Sequence, residues 1–428
     1  MTRSTARAWR RPETLLFLMA AGVPLSFATW QALLNNFAIE VAAFTGAEIG
    51  ILQSLREVPG FLAFAVVFVL LVMREQTLAL LSLALLGIGT AMTGFFPTVV
   101  GLYCTTVIMS LGFHYYETIQ SSLALQWIDK ARAPETLGRL IAVGAFTGLL
   151  AYGMVWLAFE FFDLGYRTTY LAAGGLTAAI SVAAWLAFPR YPEPVLQHRR
   201  IILRRRYWLY YGLTFLSGAR RQIFMVFAGF LLVEKFDYGV DDIALLFLLN
   251  GVVSIVLAPR IGRLISRWGE RKALLFEYLG LIGVFVAYAF VSSGPWAAVL
   301  YVVDHMFFAL AIAIKTYFQK IADPADIAST AAVGFTINHI AAVVIPAAFG
   351  LLWLLSPAAV FLAGAGMAAL SALLASMVPA HPAPGAETVL VPAAGTGDGL
   401  TGPVIHPAVG GLSSHSSDTP SRSGRLSA

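Results

Sequence analysis

PRYPEPVLQHRRIILRRR, residues 189–206, is the stretch that organises the rest of the chain. It holds three prolines and six arginines, and it interrupts a sequence that is otherwise almost free of charge. On its N-terminal side lie six runs long and apolar enough to cross a bilayer, which takes about twenty residues. They are 15–37, 47–73, 76–96, 98–125, 136–159 and 168–188. On its C-terminal side lie six more: 207–233, 241–265, 272–292, 295–318, 326–354 and 357–378. The pattern predicts an all-α integral membrane protein of twelve transmembrane helices, divided six and six.

Composition supports that division. The 428 residues are 59% hydrophobic and 12% charged, with a mean hydropathy of +0.78. Soluble domains carry about 25% charged residues, so a large soluble core is excluded. Five segments follow: an N-terminus (1–14), an N-terminal six-helix bundle (15–188), the basic linker (189–206), a C-terminal six-helix bundle (207–378) and a tail (379–428). The tail is rich in Gly, Ser, Pro and Ala and is expected to be disordered. The single cysteine, Cys104, excludes an internal disulfide framework and a Cys-based zinc site. MTRSTARAWRRPE precedes an apolar run too long for a signal peptide and without a small-residue cleavage site, so a retained first helix is expected.

The pI of 9.3 reflects topology rather than nucleic-acid binding. With the N-terminus inside, 22 of the 28 Lys and Arg fall on inner segments, 2 on outer segments and 4 within the spans. This bias predicts cytoplasmic termini and an even number of spans. The expected location is a bacterial cytoplasmic (inner) membrane.

The two halves also resemble each other. QWIDKARAPETLGRLIAVG (126–144) lines up with TYFQKIADPADIASTAAVG (316–334), placing Lys130 on Lys320 and Gly144 on Gly334. NFAIEVAAFTGAEIGIL (36–52) lies over FLLVEKFDYGVDDIALL (230–246), matching Glu40 with Glu234. Parallel six-helix repeats are a transporter plan in which the substrate site lies between the halves near the midplane.

GRLISRWGERK (262–272), between spans 8 and 9, is similar to motif A of the major facilitator superfamily, a Gly-x-Leu-x-Asp-Arg-x-Gly-Arg-Arg pattern. Gly262, Arg263, Leu264, Arg267, Gly269, Arg271 and Lys272 fit, and Ser266 stands where Asp is usual. GYRTTYL (165–171) is similar to the family's Gly-Trp-Arg-x-x-Phe segment. The resemblance implies alternating-access secondary transport, with the motif A loop helping to lock one state and spans 3, 6, 9 and 12 facing lipid. The helix 2–3 loop keeps only Arg74 of motif A, Ile108 replaces the Arg of the helix 4 pattern, and span 5 has no Gly-Pro pair. No drug or sugar branch is therefore assigned.

Ionisable groups inside a membrane are costly and mark functional positions. Those deep in the spans are Arg56 and Glu57 (span 2), His114 and Glu117 (span 4), Arg220 and Arg221 (span 7), Asp304, His305 and Lys315 (span 10) and His339 (span 11). Arg56 and Glu57 lie about 15 Å below the outer surface, and adjacent helical residues point about 100° apart, so they are expected not to pair with each other. Pro59 is expected to kink span 2 just below them. His114, Glu117 and Ser121 share one helical face, and the repeat lays His114 over Asp304. Arginine recognises carboxylate or phosphate with paired hydrogen bonds, so Arg56, Arg220 and Arg221, with Asn338 and His339, are the substrate-binding candidates. Glu57, His114, Glu117, Asp304, His305 and Lys315 are the coupling or gating candidates.

The expected function is secondary transport of a small polar, anionic solute by a monomeric permease, with proton coupling as an open option. The partners expected are that solute, the lipid bilayer and protons, without nucleic acid, resident metal or cofactor. A second reading is a divalent metal or other cation carrier using Glu57, His114, Glu117, Asp304 and His305, since His and carboxylate are metal ligands. A third is a sensor or enzyme on a transporter scaffold. No Walker A pattern occurs, which argues against ATP-driven transport by this chain alone.

Overall fold

Capping chemistry marks where many of the helices begin. Pro12 opens the first with its amide-free ring at the first turn, and Pro357 does the same for the last behind the Ser356 cap. Thr45 and Glu48 form a reciprocal capping box, and Thr98 accepts the amide of Gly101 at 3.1 Å. In a computed structural model, residues 9–128, 133–191, 203–323 and 327–390 are described. Most of the basic linker and of the tail, together with Lys130, lies outside them.

Among the described residues there are twelve successive helical segments and no strand. They are α1 (Pro12–Val41), α2 (Gly46–Phe61, continuing through a 3-10 turn at Leu62–Ala65 into Val66–Val69), α3 (Glu75–Thr93) and α4 (Val99–Trp127). Next come α5 (Ala133–Glu160), α6 (Tyr166–Ala187), α7 (Arg205–Phe236) and α8 (Val240–Trp268). The last four are α9 (Glu270–Phe290), α10 (Gly294–Ile321), α11 (Ile327–Leu355) and α12 (Pro357–Ser376). Eleven are long and apolar enough to cross a membrane. The other is α2, whose regular helix ends at Phe61. Pro59 cannot donate the amide that its turn requires, and the tighter 3-10 turn follows three residues later.

The two sets of six helices meet on the face away from the termini. There α2 and α11 approach backbone to backbone: a Cβ on Gly50 would fall 2.3 Å from the Pro346 carbonyl oxygen, and one on Gly350 would fall 2.5 Å from the Gly46 oxygen. Only glycine permits that approach. Ser54 Oγ accepts the Ala347 amide at 2.9 Å, and Asn36 donates to the Tyr238 carbonyl at 2.7 Å. On α5 and α8, Tyr152 stacks edge-on against Phe247 at 5.3 Å. The far face is therefore closed by contacts between the sets. Toward the termini, α2 leaves regular helix at Leu62.

The tail differs from its sequence-based expectation over residues 379–390. Val389 donates its amide to Met377 O, and Tyr317 donates its hydroxyl to Glu387 O. Glu387 and Thr388 are buried. Tyr317 supplies a buried hydroxyl on α10 that needs an acceptor, and the returning chain provides it. Composition does not reveal such a partner.

Candidate functional site

Arg220 and Arg221 have different surroundings. Arg220 is completely buried, with its guanidinium 4.3 Å over the Tyr278 ring and 3.8 Å from Glu277 Oε1 on α9. Its Nε donates to Leu216 O at 3.2 Å. Glu277 is also fully buried. From sequence, span 9 was expected to face lipid; Glu277 instead turns inward to meet Arg220. A buried guanidinium requires an opposite charge, and α9 supplies it. Arg220 is thus committed to holding α7 against α9.

Arg221, one position on, is exposed. It feels the charges of Glu57 and Arg56 on α2, Glu117 on α4 and His305 on α10. Those partners belong to both halves, so Arg221 faces the central space. Among the described residues no hydrogen bond or ion pair holds it. Directly after the pair, α7 widens into a π segment, Ile223–Ala228, a feature frequent at functional sites.

A buried polar cluster lies across that space. Arg56 and Glu57 do pair, Arg56 Nη2 with Glu57 Oε1, contrary to the expectation from their 100° offset. The flexible arginine stem reaches round the helix, which backbone angles alone do not capture. Ser110 of α4 also donates to the Arg56 carbonyl. Glu57 Oε2 then faces two imidazoles: His339 Nε2 at 3.8 Å and His114 Nε2 at 4.0 Å. The two rings are 5.4 Å apart, edge to face. Glu57, His114 and His339 are all buried.

Gly60 makes room for them. A Cβ there would lie 2.5 Å from His339 Nε2 and 2.8 Å from His114 Cε1. His339 Nδ1 sits 3.0 Å from Phe335 O, while His114 Nδ1 is 4.0 Å from Glu117 Oε2 and has no hydrogen bond among the described residues. Glu117 is exposed on a groove of about 470 Å³ along α1, α4 and α5, shared with Pro24, Phe113, Tyr116 and Gln120. That volume suits a small ligand.

Other candidates lie apart. The repeat makes Asp304 the position equivalent to His114, and the two have different surroundings: His114 meets His339. Asp304 is fully buried, neither of its oxygens has a hydrogen bond among the described residues, and its charge couples to Arg220. His305 is 2.7 Å from Ser254 Oγ. Asn338 packs against α7, its Oδ1 2.3 Å from where a Gly218 Cβ would be. Lys315 is exposed, and among the described residues no hydrogen bond or ion pair ties it to the cluster. In the loop resembling motif A, Gly269 adopts φ +77°, a conformation suited to glycine. Arg263 and Arg267 line a cleft of about 240 Å³ with Arg260 and Leu264. Gly262 O accepts from Ser266 Oγ at 3.0 Å, so the residue in the Asp position turns back on its own helix. Arg271 is half-buried and Lys272 exposed. The adjacent Glu270 pairs with Lys320 of α10 at 2.7 Å.

Sequence reasoning identified most of the charged members but missed the roles of Gly60 and Glu277. A glycine opposite a mid-span histidine, and a lone acid in an apolar span, were the available signals.

The sequence profile of the Major Facilitator Superfamily matches residues 14–346. No match was found among curated protein sequences. In fold, the chain is similar to the nucleoside transporter NupG in its D323A mutant form, with a TM-score of 0.73 and 15% identity, covering 86% of this chain and 99% of that one. It is also similar to a bacterial homologue of the human lysosomal transporter Spinster, inward-facing and occupied, with a TM-score of 0.67 and 14% identity, covering 85% of this chain and 95% of that one. Together with the twelve helices and the motif A-like loop, the profile match over most of the chain identifies this integral membrane protein as a member of the major facilitator superfamily.

Proposed function

We propose that the chain is a secondary transporter of a small anionic solute, working by alternating access between two six-helix bundles, 15–188 and 207–378. The observation that carries this reading is Arg221, a deep guanidinium facing the central space with no hydrogen bond or ion pair among the described residues. A charge in that position is costly, and an incoming carboxylate or phosphate satisfies it with paired hydrogen bonds. Arg220 is excluded from that role by Glu277. The positive-inside bias supports cytoplasmic termini in a bacterial inner membrane. A monomer is the working unit of this reading.

Proton coupling is assigned to Asp304, a buried carboxylate with no hydrogen-bond donor among the described residues and with its charge coupled to Arg220. Carboxylates in such positions serve as proton relays.

The test begins with thermal unfolding of the purified protein against a panel of small carboxylates and phosphate esters. A true ligand at a hundredfold excess over its Kd stabilises by about 2.7 kcal/mol. Arg221→Gln is expected to abolish that shift, and Arg221→Lys to retain part of it. A full shift in Arg221→Gln would refute the assignment. With the ligand in hand, uptake into proteoliposomes under an imposed pH gradient should follow the gradient in wild type. In Asp304→Asn only gradient-independent exchange should remain.

A further inference from the structure

The geometry of Glu57, His114 and His339 points to a site for a first-row divalent transition-metal ion, bound together with an anionic ligand. The three offer one ligand atom each, and those atoms all lie within 4.8 Å of one another. The inference deepens the proposed function and rests on its anionic substrate: it names the cargo class as a metal–carboxylate chelate.

Hydrogen-bond chemistry carries the argument. Phe335 O can only accept, so the 3.0 Å contact from His339 Nδ1 makes that nitrogen the N–H donor. In the neutral ring, Nε2 then carries a lone pair, and it faces Glu57 Oε2 at 3.8 Å. Two acceptors facing each other across that gap repel unless a proton or a metal ion stands between them, and the 3.8 Å gap leaves room for the larger of the two. A backbone carbonyl fixing Nδ1 while Nε2 points into the cluster is the arrangement that orients a metal-binding histidine. His114 approaches the same oxygen with Nε2 at 4.0 Å, and its Nδ1 is buried without a hydrogen bond among the described residues. Glu57 has its other oxygen occupied by Arg56, which fixes the carboxylate with Oε2 toward the rings. Gly60 leaves the space that both imidazoles occupy.

Two histidines and one carboxylate suit zinc, cobalt, nickel or copper. Metal–ligand bonds of about 2.0–2.2 Å require the three groups to close inward from their present spacing. Three protein ligands leave a coordination position open. The charge balance indicates what fills it. Arg56 and Arg221 offset Glu57 and Glu117, so a divalent ion leaves the centre two charges positive. A ligand with two negative charges, one carboxylate on the metal and another against Arg221, restores neutrality.

Titration of the purified wild-type protein with Co²⁺, first alone and then with citrate as the probe anion, tests this by visible ligand-field absorption. Wild type is expected to develop absorption bands with Co²⁺, and citrate should tighten binding while shifting the bands. His114→Ala and His339→Ala should each weaken Co²⁺ binding tenfold or more, and Glu57→Gln covers the case in which either fails to fold. Arg221→Gln should bind Co²⁺ alone at least as tightly as wild type, since a nearby positive charge is gone, and lose the citrate effect. No bands in wild type, or bands unchanged in well-folded histidine variants, would overturn the site. Citrate stripping the metal would overturn the joint binding. Loss of the metal site with an Arg221-dependent anion shift intact would leave the anion reading standing.

Discussion

At the scale of single residues, Arg220 and Arg221 are neighbours with opposite obligations. Replacing Arg220 by Gln strands the Glu277 charge in the core, at a cost of about 3–5 kcal/mol. The double replacement Arg220→Met/Glu277→Met removes both charges and should recover most of that loss, as measured by thermal unfolding in detergent. Arg221→Gln should leave unfolding within about 0.5 kcal/mol of wild type, as for a side chain outside the packed core. Equal destabilisation by the two single variants would contradict the division of roles. The sequence marked both arginines as costly but could not separate them. That distinction depends on which partner lies 100° round the helix, and Glu277 sits on a helix expected to face lipid.

At the scale of elements, α2 is the least regular span and carries the most polar function. Its Pro59 was legible as a helix-breaking residue, and the change to a 3-10 turn at Leu62 follows that expectation. Gly60 was not legible, because its value lies in two imidazoles contributed by α4 and α11. Gly60→Ala should force those rings to move, with an overpacking cost of about 1–3 kcal/mol and reduced transport. Wild-type stability and activity in that variant would show that the rings have slack. The repeat was legible at helix ends. Glu40 and Glu234, aligned from sequence, both tie the far end of their helix to another: Glu40 accepts from Tyr166 of α6 at 2.6 Å and Glu234 from Trp353 of α11 at 2.9 Å. The return of residues 379–390 onto α10 was hidden, since its contacts are mostly to backbone.

At the scale of the whole molecule, the far face is shut by α2 against α11. In a Cys104→Ser background, cysteines at Ser54 and Ala347 should cross-link under oxidation and stop transport, with recovery on reduction. Transport that continues through a confirmed cross-link would mean that this seam does not open in the cycle. Eleven of the twelve helical segments were legible as spans because a bilayer imposes length and apolarity, with α2 broken after Phe61; the state of the seam was not, because composition does not encode it. The glycines at the seam have a mechanical consequence. Where Gly46, Gly50 and Gly350 meet Pro346 and each other, attraction comes from direct backbone contact, and a gap of about 0.5–1 Å already forfeits a quarter to a half of it. Such an interface has two positions and little between them, as packed interfaces do. Glu57 and His339 ride on the two helices of that seam, so their meeting is switched with it: whole while the seam is shut, divided once it parts.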